Sequence, residues 1–200
     1  VDGSGRIDTA YAVFQDEHYN GRVYFSRSVD GGASFAAPAP ITDDTTSQRF
    51  EALALDPGGG LFAAWLDKRD AVAARQQGKT YPGAALAFAW ADQAADGFAP
   101  ARIAVDDTCE CCRLAAAFAA PHRPVVLFRD IFGETTRDHA VLTFADAQTP
   151  GALHRVSVDD WKTSVCPHQG PTLAIGPNGT YHAAWFTEGQ ARKGVFYARS

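Results

Sequence analysis

Two short sequence motifs recur along this 200-residue chain. One is Val-Tyr-Phe-Ser-Arg-Ser at 23–28, which returns as Val-Phe-Tyr-Ala-Arg-Ser at 195–200. The other joins a Gly/Pro turn to an apolar stretch ending in Ala-Ala-Trp, at 56–65 and again at 176–185. Glycine, proline and asparagine favour tight turns, and alternating aromatic and aliphatic residues favour half-buried strands. Recurrence of such a unit predicts a repeat architecture built from short strands.

An Asp-Asp pair marks one point of the repeat, at 43–44, 106–107 and 159–160. About four short strands separate successive pairs, which is the content of a β-propeller blade. With strands named a to d outward from the axis, the chain reads b-c-d, a-b-c-d, a-b-c-d and a-b-c. We therefore predict an all-β fold, one propeller domain of four-stranded antiparallel blades with about 3.5 blades present. The blade segments are approximately 1–44, 45–107, 108–160 and 161–200.

Each strand has an expected range within this scheme. Strand d is expected to end just before each Asp-Asp pair, and one short helix is expected inside a long b–c connection. The ranges are 50–55, 114–118 and 172–175 for strand a; 9–14, 61–66, 125–128 and 181–186 for strand b; 23–28, 84–90, 139–144 and 195–200 for strand c; and 71–77 for the helix.

Composition limits the function. The net charge is −5 with acidic and basic residues interspersed, whereas a nucleic-acid surface needs a basic patch. No run of about 18 apolar residues occurs, so no membrane span is predicted. The chain begins at Val1, contains no methionine and ends within the second copy of the strand motif. We expect a fragment or processed chain of an exported bacterial protein, periplasmic or secreted.

All four cysteines lie shortly after Asp-Asp pairs. Cys109, Cys111 and Cys112 follow the second pair, and Cys166-Pro-His168 follows the third. In a blade these positions are d–a connections, which emerge on the same face as the b–c connections and close to the central axis. Because consecutive blades are neighbours, we expect the two cysteine segments to face each other.

Three interpretations of the cysteines stay open. Three or four thiolates with one imidazole favour copper(I), or tetrahedral zinc, over hard cations. An even number of cysteines in an exported chain also suits two disulfides, one between blades and one local, although a bridge between the adjacent Cys111 and Cys112 would be strained. A redox-active mixture is the third interpretation.

The segment from Ser28 to Phe35 fits the pattern Ser-x-Asp-x-Gly-x-x-aromatic, and a degenerate copy at 91–98 keeps the aromatic residue. This pattern is the Asp-box of the sialidase-like (BNR) β-propeller family, which the chain resembles along its whole length. We expect Asp30 to bind turn amides, Gly32 to take a positive φ and Phe35 to pack the turn onto its blade. The resemblance implies a structural turn, and a six- or seven-bladed propeller of which this chain is about half.

The resemblance also implies a possible glycosidase. A sialidase uses an arginine triad for the substrate carboxylate, a tyrosine nucleophile paired with a glutamate, and an acidic aspartate. Arg129 and Arg137 flank a b–c connection and are candidates for part of the triad, and Glu188 is the candidate glutamate. The family's Arg-Ile-Pro motif is absent, no Tyr/Glu pair is assigned, and ion pairs of the two arginines with Asp130 and Asp138 are a second expectation. Whether the protein is an enzyme stays open.

Three functions follow from these patterns. The first is a soft-metal site, for copper or zinc, formed by Cys109, Cys111, Cys112, Cys166 and His168. The second is a sialidase-like glycoside hydrolase whose loops are stapled by disulfides. The third is a scaffold that binds a small glycan or a partner protein on the loop face.

Overall fold

The structure is a computed structural model that describes residues 4–15, 20–81, 83–92, 97–165 and 167–200. Its elements, in chain order, are β1 Ile7–Phe14, β2 Gly21–Ser28, β3 Ala39–Pro40, β4 Gln48–Leu55, β5 Leu61–Asp67, α1 Arg69–Gln76, β6 Ala84–Ala91, β7 Arg102–Thr108, β8 Ala115–Ala120, β9 Arg123–Arg129, β10 His139–Asp146, β11 Thr149–Arg155, β12 Thr172–Ile175, β13 Tyr181–Glu188 and β14 Lys193–Arg199.

The strands form four antiparallel sheets, each a propeller blade. In chain order the sheets are β1-β2-β3, β4-β5-β6-β7, β8-β9-β10-β11 and β12-β13-β14. This is the predicted series b-c-d, a-b-c-d, a-b-c-d, a-b-c, so the prediction of a partial β-propeller is confirmed. The observed bounds of strands a, b and c differ from the expected ones by at most two residues.

The prediction for strand d was wrong in the second blade. There β7 continues through the Asp-Asp pair and ends at Thr108. The second aspartate of the pair takes a left-handed backbone, with φ 58° at Asp107, and Asp160 repeats this with φ 52°. Aspartate tolerates this conformation better than most residues, so the pair turns the chain from strand d towards the next strand a. No helix in the described ranges is long and apolar enough to cross a membrane.

Blade packing explains the composition of the middle strands. Every residue of β5 and β6 is buried, and Phe62 of β5 lies opposite Trp90 of β6. Strands that are covered on both faces contain continuous runs of apolar residues rather than alternating apolar and polar residues. Between the second and third blades, the ring of Phe144 lies 5.1 Å from that of Phe62 and 5.1 Å from that of Phe88. These edge-to-face contacts fix one blade on the next.

The repeated motifs at 56–65 and 176–185 form equivalent a–b turns. In one, the amide of Asp56 donates to the carbonyl of Gly60 (2.8 Å); in the other, the amide of Gly176 donates to the carbonyl of Thr180 (2.8 Å). On this face the carboxylate of Asp56 also contacts Nδ1 of His122 (2.8 Å), in the a–b turn of the following blade. The a–b turns of neighbouring blades therefore meet on one face, and the d–a connections leave from the other.

The Asp-box forms the predicted c–d turn between β2 and β3. The hydroxyl of Ser28 accepts the amide of Gly32 (2.9 Å), and Asp30 accepts the amide and the hydroxyl of Ser34 (3.0 and 2.6 Å). Gly32 has a φ of 91°, as expected. Phe35 is 46% exposed, and its packing of the turn onto the blade stays a prediction.

The degenerate copy of the Asp-box at 91–98 is described only in part, because 93–96 lie outside the described residues. Its aromatic residue, Phe98, packs edge-on against Phe25 of the first blade with ring centroids 5.3 Å apart. The aromatic position of this turn thus contributes to the contact between two blades.

Candidate functional site

The three cysteines of the first segment form a buried cluster in the β7–β8 connection. The Sγ of Cys109 lies 3.7 Å from that of Cys111 and 3.6 Å from that of Cys112. All three sulfurs lie within 4.8 Å of one another, and each residue is at most 2% exposed. The sulfurs are too far apart for disulfide bonds, which are about 2.05 Å long, so all three are free thiols. Phe50 of the second blade packs against them.

Two neighbouring strands hold the start of this loop. The hydroxyl of Thr108 donates to the carbonyl of Ala84 at the start of β6 (2.9 Å), and the amide of Cys109 donates to the carbonyl of Arg129 at the end of β9 (3.2 Å). A side chain at Gly83 would place a Cβ 2.0 Å from the carbonyl oxygen of Thr108. The loop is therefore fixed between the second and third blades by contacts to their main-chain carbonyl groups.

Hydrogen bonding within the cluster separates the ionisation of its thiols. Hydrogen bonds from Cys111 and then from Cys112 lower the pKa of the Cys109 thiol far below its ordinary value. The hydrogen bond to Cys109, together with burial, raises the pKa of the Cys112 thiol. Hydrogen bonding within the cluster therefore favours the thiolate form at Cys109 over that at Cys112. Thiolate is the form of cysteine that binds metals.

The spacing of the sulfurs suits a soft metal ion. In a tetrahedral zinc site with Zn–S bonds of about 2.3 Å, the sulfurs lie about 3.8 Å apart. The separations of 3.6 and 3.7 Å at Cys109 are close to this value. Sulfur ligands favour copper(I) and zinc over hard cations such as magnesium and calcium. The three thiols therefore fit a zinc or copper(I) ion with little rearrangement.

The chain just after the second cysteine segment lies against the chain just after the first, while the expected approach of Cys166 and His168 to the three cysteines stays a prediction. Cys166 itself lies outside the described residues. His168 is exposed and has a φ of 57°, and among the described residues it does not belong to the group of mutually close sulfurs. Two residues further on, a Cβ added to Gly170 would lie 2.4 Å from the carbonyl oxygen of Arg113. The chain after His168 thus passes directly against the chain after Cys112.

The candidate catalytic arginines are directed towards the main chain. Arg129 is 1% exposed and donates to the carbonyls of Arg137 (2.6 Å), Phe186 (3.0 Å) and Gln169 (3.3 Å). Arg137 is half-buried and donates through Nε to the carbonyl of Thr163 (3.1 Å). A role for either arginine in binding a substrate carboxylate stays a prediction.

Glu188, the candidate glutamate, ends β13 and is exposed. No ion pair in the described ranges joins it to another residue. It was predicted to lie in the last b–c connection and instead is the last residue of the strand before that connection, at the end of the blade that carries the cysteines. A catalytic role for Glu188 also stays a prediction.

The expected ion pairs of the two arginines with neighbouring aspartates are not formed. Asp138 instead accepts the Arg155 guanidinium (2.5 Å) and the amide of Asp159 (3.1 Å). The amides of Asp160 (3.2 Å) and Trp161 (3.3 Å) also donate to this carboxylate. A buried carboxylate gains more from several amide donors and one arginine than from a single neighbour. Asp138 therefore organises the third d–a connection.

Two buried titratable residues near the cluster have shifted pKa values that the sequence did not predict. Burial lowers the pKa of His139 to about 3, and neither of its ring nitrogens has a hydrogen-bond partner. Burial, and to a smaller degree the charge of Cys109, raises the pKa of Asp130 to about 6. His139 lies opposite Arg129 across the β9–β10 pairing. Its position at the start of a strand was visible in the sequence, but its complete burial depends on the next blade.

Comparison with known proteins gives the fold and no more. No protein-family model and no curated protein sequence matches the chain. Among solved structures, it is similar to the NanB sialidase from Streptococcus pneumoniae, with a TM-score of 0.59 and 10% identity over 96% of this chain and 27% of that one. It is also similar to an α-L-arabinanase from Penicillium chrysogenum, with a TM-score of 0.61 and 10% identity over 100% of this chain and 55% of that one.

A protein of unknown function from Dyadobacter fermentans gives a TM-score of 0.60 with 14% identity, over 99% of this chain and 63% of that one. The chain thus spans about a quarter to two thirds of the length of these structures. At such low identity the similarity supports a propeller of the kind that glycosidases use. Fold alone does not determine activity, because one fold carries many functions.

Proposed function

We propose that this propeller binds a soft metal ion, copper(I) or zinc, on the face of its d–a connections. Cys109, Cys111 and Cys112 are the core ligands, and Cys166 and His168 are proposed to complete the site. The observation that carries this proposal is the group of three buried sulfurs within 4.8 Å of one another. In this role the protein is a binding module that serves metal delivery, sensing or local structure, in the periplasm or outside the cell.

Two features favour metal binding over disulfide formation. A disulfide uses two sulfurs, whereas Cys109 has two sulfur neighbours at nearly equal distance. A bridge between adjacent Cys111 and Cys112 would depart from relaxed disulfide geometry. A bound cation can take all three sulfurs as ligands without such a bridge.

The test is metal analysis of protein purified without chelator, combined with a count of free thiols after denaturation. We expect about one equivalent of copper or zinc, with all thiols free once the metal is stripped. Cys112→Ser should lose the metal while the blades stay folded, because the serine hydroxyl is a much poorer ligand for soft ions. Glu110→Gln is the matched control: Glu110 lies inside the same loop but pairs with Lys68 (2.5 Å) outside the sulfur group.

Two outcomes would overturn the proposal. The first is wild-type protein with no bound metal and no free thiols, which means two disulfides. The second is retention of metal by the Cys112→Ser variant at wild-type affinity, which would place the ion elsewhere. Loss of metal from the Glu110→Gln variant as well would show that the loop is generally fragile, so the test requires this control to keep its metal.

A glycoside hydrolase is the second candidate, favoured by the similarity to sialidase and arabinanase propellers. It predicts turnover of an aryl glycoside such as an aryl sialoside. Glu188→Gln is the informative variant because Glu188 is exposed, whereas Arg129→Ala would remove three main-chain contacts and disturb the fold. No turnover would end this candidate and leave a scaffold for a small glycan or partner protein as the remaining non-metal function.

A further inference from the structure

The three sulfurs of the cluster are shielded from solvent. Cys109, Cys111 and Cys112 are each at most 2% exposed, and Phe50 packs against them. A metal ion or a thiol reagent can therefore reach a sulfur only when part of the surrounding structure opens. Local openings occur where few contacts hold the chain and where those contacts meet solvent.

The start of the loop is firmly held. The hydroxyl of Thr108 donates to the carbonyl of Ala84 (2.9 Å), and the amide of Cys109 donates to that of Arg129 (3.2 Å). Both acceptors are main-chain groups at strand ends, so this part of the loop moves only with its blades. Opening is therefore expected further along the loop, from Glu110 onwards.

The middle of the loop is held by an ion pair. Nζ of Lys68 lies 2.5 Å from a carboxylate oxygen of Glu110, the residue between Cys109 and Cys111. The two side chains are 12% and 30% exposed, so water and salt reach the pair although the sulfurs are buried. Partly exposed ion pairs break and re-form readily, because water competes for both charges.

Lys68 belongs to the fixed side of this contact. Its amide donates to the carbonyl of Ser47 (2.9 Å), and it immediately precedes helix α1. The next residue, Arg69, pairs with the fully buried carboxylate of Asp67 at the end of β5 (2.7 Å). The second blade therefore holds Lys68 in place, and Glu110 is the partner that can move.

A second cation of the same helix faces Glu110. Nη2 of Arg75 lies 4.0 Å from the same carboxylate oxygen. Lys68 and Arg75 are seven residues apart, which is about two helical turns, so both lie on the same side of α1. That side of the helix therefore lies along the loop, and Glu110 has a cation to return to after each opening.

We propose that the Lys68–Glu110 ion pair is a gate that controls the access of metal ions and thiol reagents to the three buried sulfurs. In the closed state the pair holds the loop against α1. When the pair breaks, the loop moves away from the helix while its start stays anchored, and the sulfurs meet solvent. For metal ions this inference rests on the proposed metal site. The gate changes how fast an ion enters and leaves, and the amount bound at equilibrium stays the same.

The first experiment measures the initial rate at which the thiols react with neutral dithiodipyridine in reduced, metal-free protein. It uses a Cys166→Ser background, in which the three cluster thiols are the only ones left. Lys68→Met and Glu110→Gln should each speed the reaction by about 2- to 5-fold, the factor that such an ion pair contributes. With the pair intact the rate should rise with ionic strength, because salt screens the two charges. In the two variants it should not.

The two variants distinguish a gate from a change of local charge. Loss of the Lys68 cation disfavours nearby thiolates, and loss of the Glu110 anion favours them. A pure charge effect therefore slows the reaction in Lys68→Met and speeds it in Glu110→Gln, whereas an opened gate speeds both. The exchanged pair, Lys68→Glu combined with Glu110→Lys, should restore the slow reaction.

Lys79→Met is the matched control. Lys79 follows the same helix, and its Nζ donates to the side chain of Gln77 (2.8 Å). Its replacement removes a lysine from the same b–c connection and should change neither the rate nor its salt dependence. Circular dichroism is used to check that each variant keeps its fold.

The second experiment follows the transfer of zinc to a chelator from the chain with all four cysteines. Lys68→Met and Glu110→Gln should release zinc faster by about the same factor, with unchanged affinity. Equal rates in the wild type and both variants would overturn the gate, and so would opposite changes in the two variants. If the variants behave as expected with dithiodipyridine but the wild-type chain binds neither zinc nor copper(I), the gate stands and the proposed metal site is wrong.

Discussion

The main-chain amide of Cys109 donates a 3.2 Å hydrogen bond to the carbonyl oxygen of Arg129. This bond places the first residue of the thiol cluster directly on the end of β9 in the third blade. Rigid strands hold ligands more accurately than free loops do. The same strand end pairs with His139 of β10, so the site rests on two neighbouring strands of one blade.

The close approach of Gly170 to Arg113 predicts that this glycine is needed for the site. In Gly170→Ala the new Cβ would meet the carbonyl oxygen of Arg113 at 2.4 Å, so the backbone of one of the two segments must shift. We expect a loss of about 1–3 kcal/mol in the free energy of unfolding, with weaker zinc binding because the two cysteine segments are pushed apart. Denaturant unfolding and a zinc titration measure the two effects.

Gly97→Ala is the comparison for that variant. None of the described residues lies within 4 Å of a Cβ at Gly97, so the unfolding free energy of Gly97→Ala should change by less than about 0.5 kcal/mol. Equal behaviour of the two variants would show that the contact between Gly170 and Arg113 does not constrain the loops.

Removing a hydrogen bond of the Asp-box turn is expected to lower the free energy of unfolding without changing zinc affinity. The hydroxyl of Ser28 is buried and accepts the amide of Gly32 (2.9 Å). Ser28→Ala removes this hydrogen bond, which we expect to cost about 0.5–1.5 kcal/mol of unfolding free energy. Zinc affinity should not change, because the turn lies on the face opposite to the cysteines. A weaker metal site in Ser28→Ala would contradict the assignment of the turn as purely structural.

The fold could be predicted because its determinants are local. The repeated motifs at 56–65 and 176–185 contain the glycines and prolines that form their own turns. The repeated strand motifs show their alternation of residue types within a few positions. Repetition then gave the blade order. The position of Cys109 on the d–a face followed from strand direction alone, since each connection leaves a blade at a fixed end.

The contacts of the site could not be predicted in the same way. The carbonyls that Arg129 binds come from residues 137, 169 and 186, which only the folded blades bring together. The nearby Asp130 was the obvious partner in the sequence, yet strand geometry directs the guanidinium towards the fourth blade. The exposure of Phe35 likewise depends on packing between elements rather than on its own turn.

The burial of His139 predicts a pH dependence of stability. Its pKa is about 3 in the folded chain against an ordinary value of 6.5, so between these pH values the unfolded chain binds a proton that the folded chain does not. The free energy of unfolding should therefore fall as the pH drops below 6.5, by at most about 1.4 kcal/mol per pH unit from this residue. His139→Phe removes the titration, and its unfolding free energy should depend less on pH.

In part of this pH range, Asp130 changes the free energy of unfolding in the opposite direction. Its folded pKa of about 6 lies above the ordinary 3.8, so it adds stability as the pH falls from 6 towards 3.8. The comparison is therefore made between His139→Phe and wild type, and repeated in an Asp130→Asn background. Parallel curves for the wild-type and His139→Phe proteins in both backgrounds would show that His139 is accessible to protons in the folded state.

Metal binding at the three thiols predicts a link between metal and stability. A ligand that binds only the folded chain stabilises it by about 2.7 kcal/mol when its free concentration is 100 times the dissociation constant. We therefore expect a chelator to lower the unfolding temperature of the wild-type chain and added zinc to restore it. Cys109→Ser should show neither effect, because it removes the sulfur that lies 3.7 Å from that of Cys111 and 3.6 Å from that of Cys112. Ser28→Ala, which changes only the opposite face, should respond to zinc as the wild type does. A wild-type unfolding temperature that is unaffected by chelator and zinc, in protein whose thiols are all reduced, would show that the cluster holds no ion in the folded state.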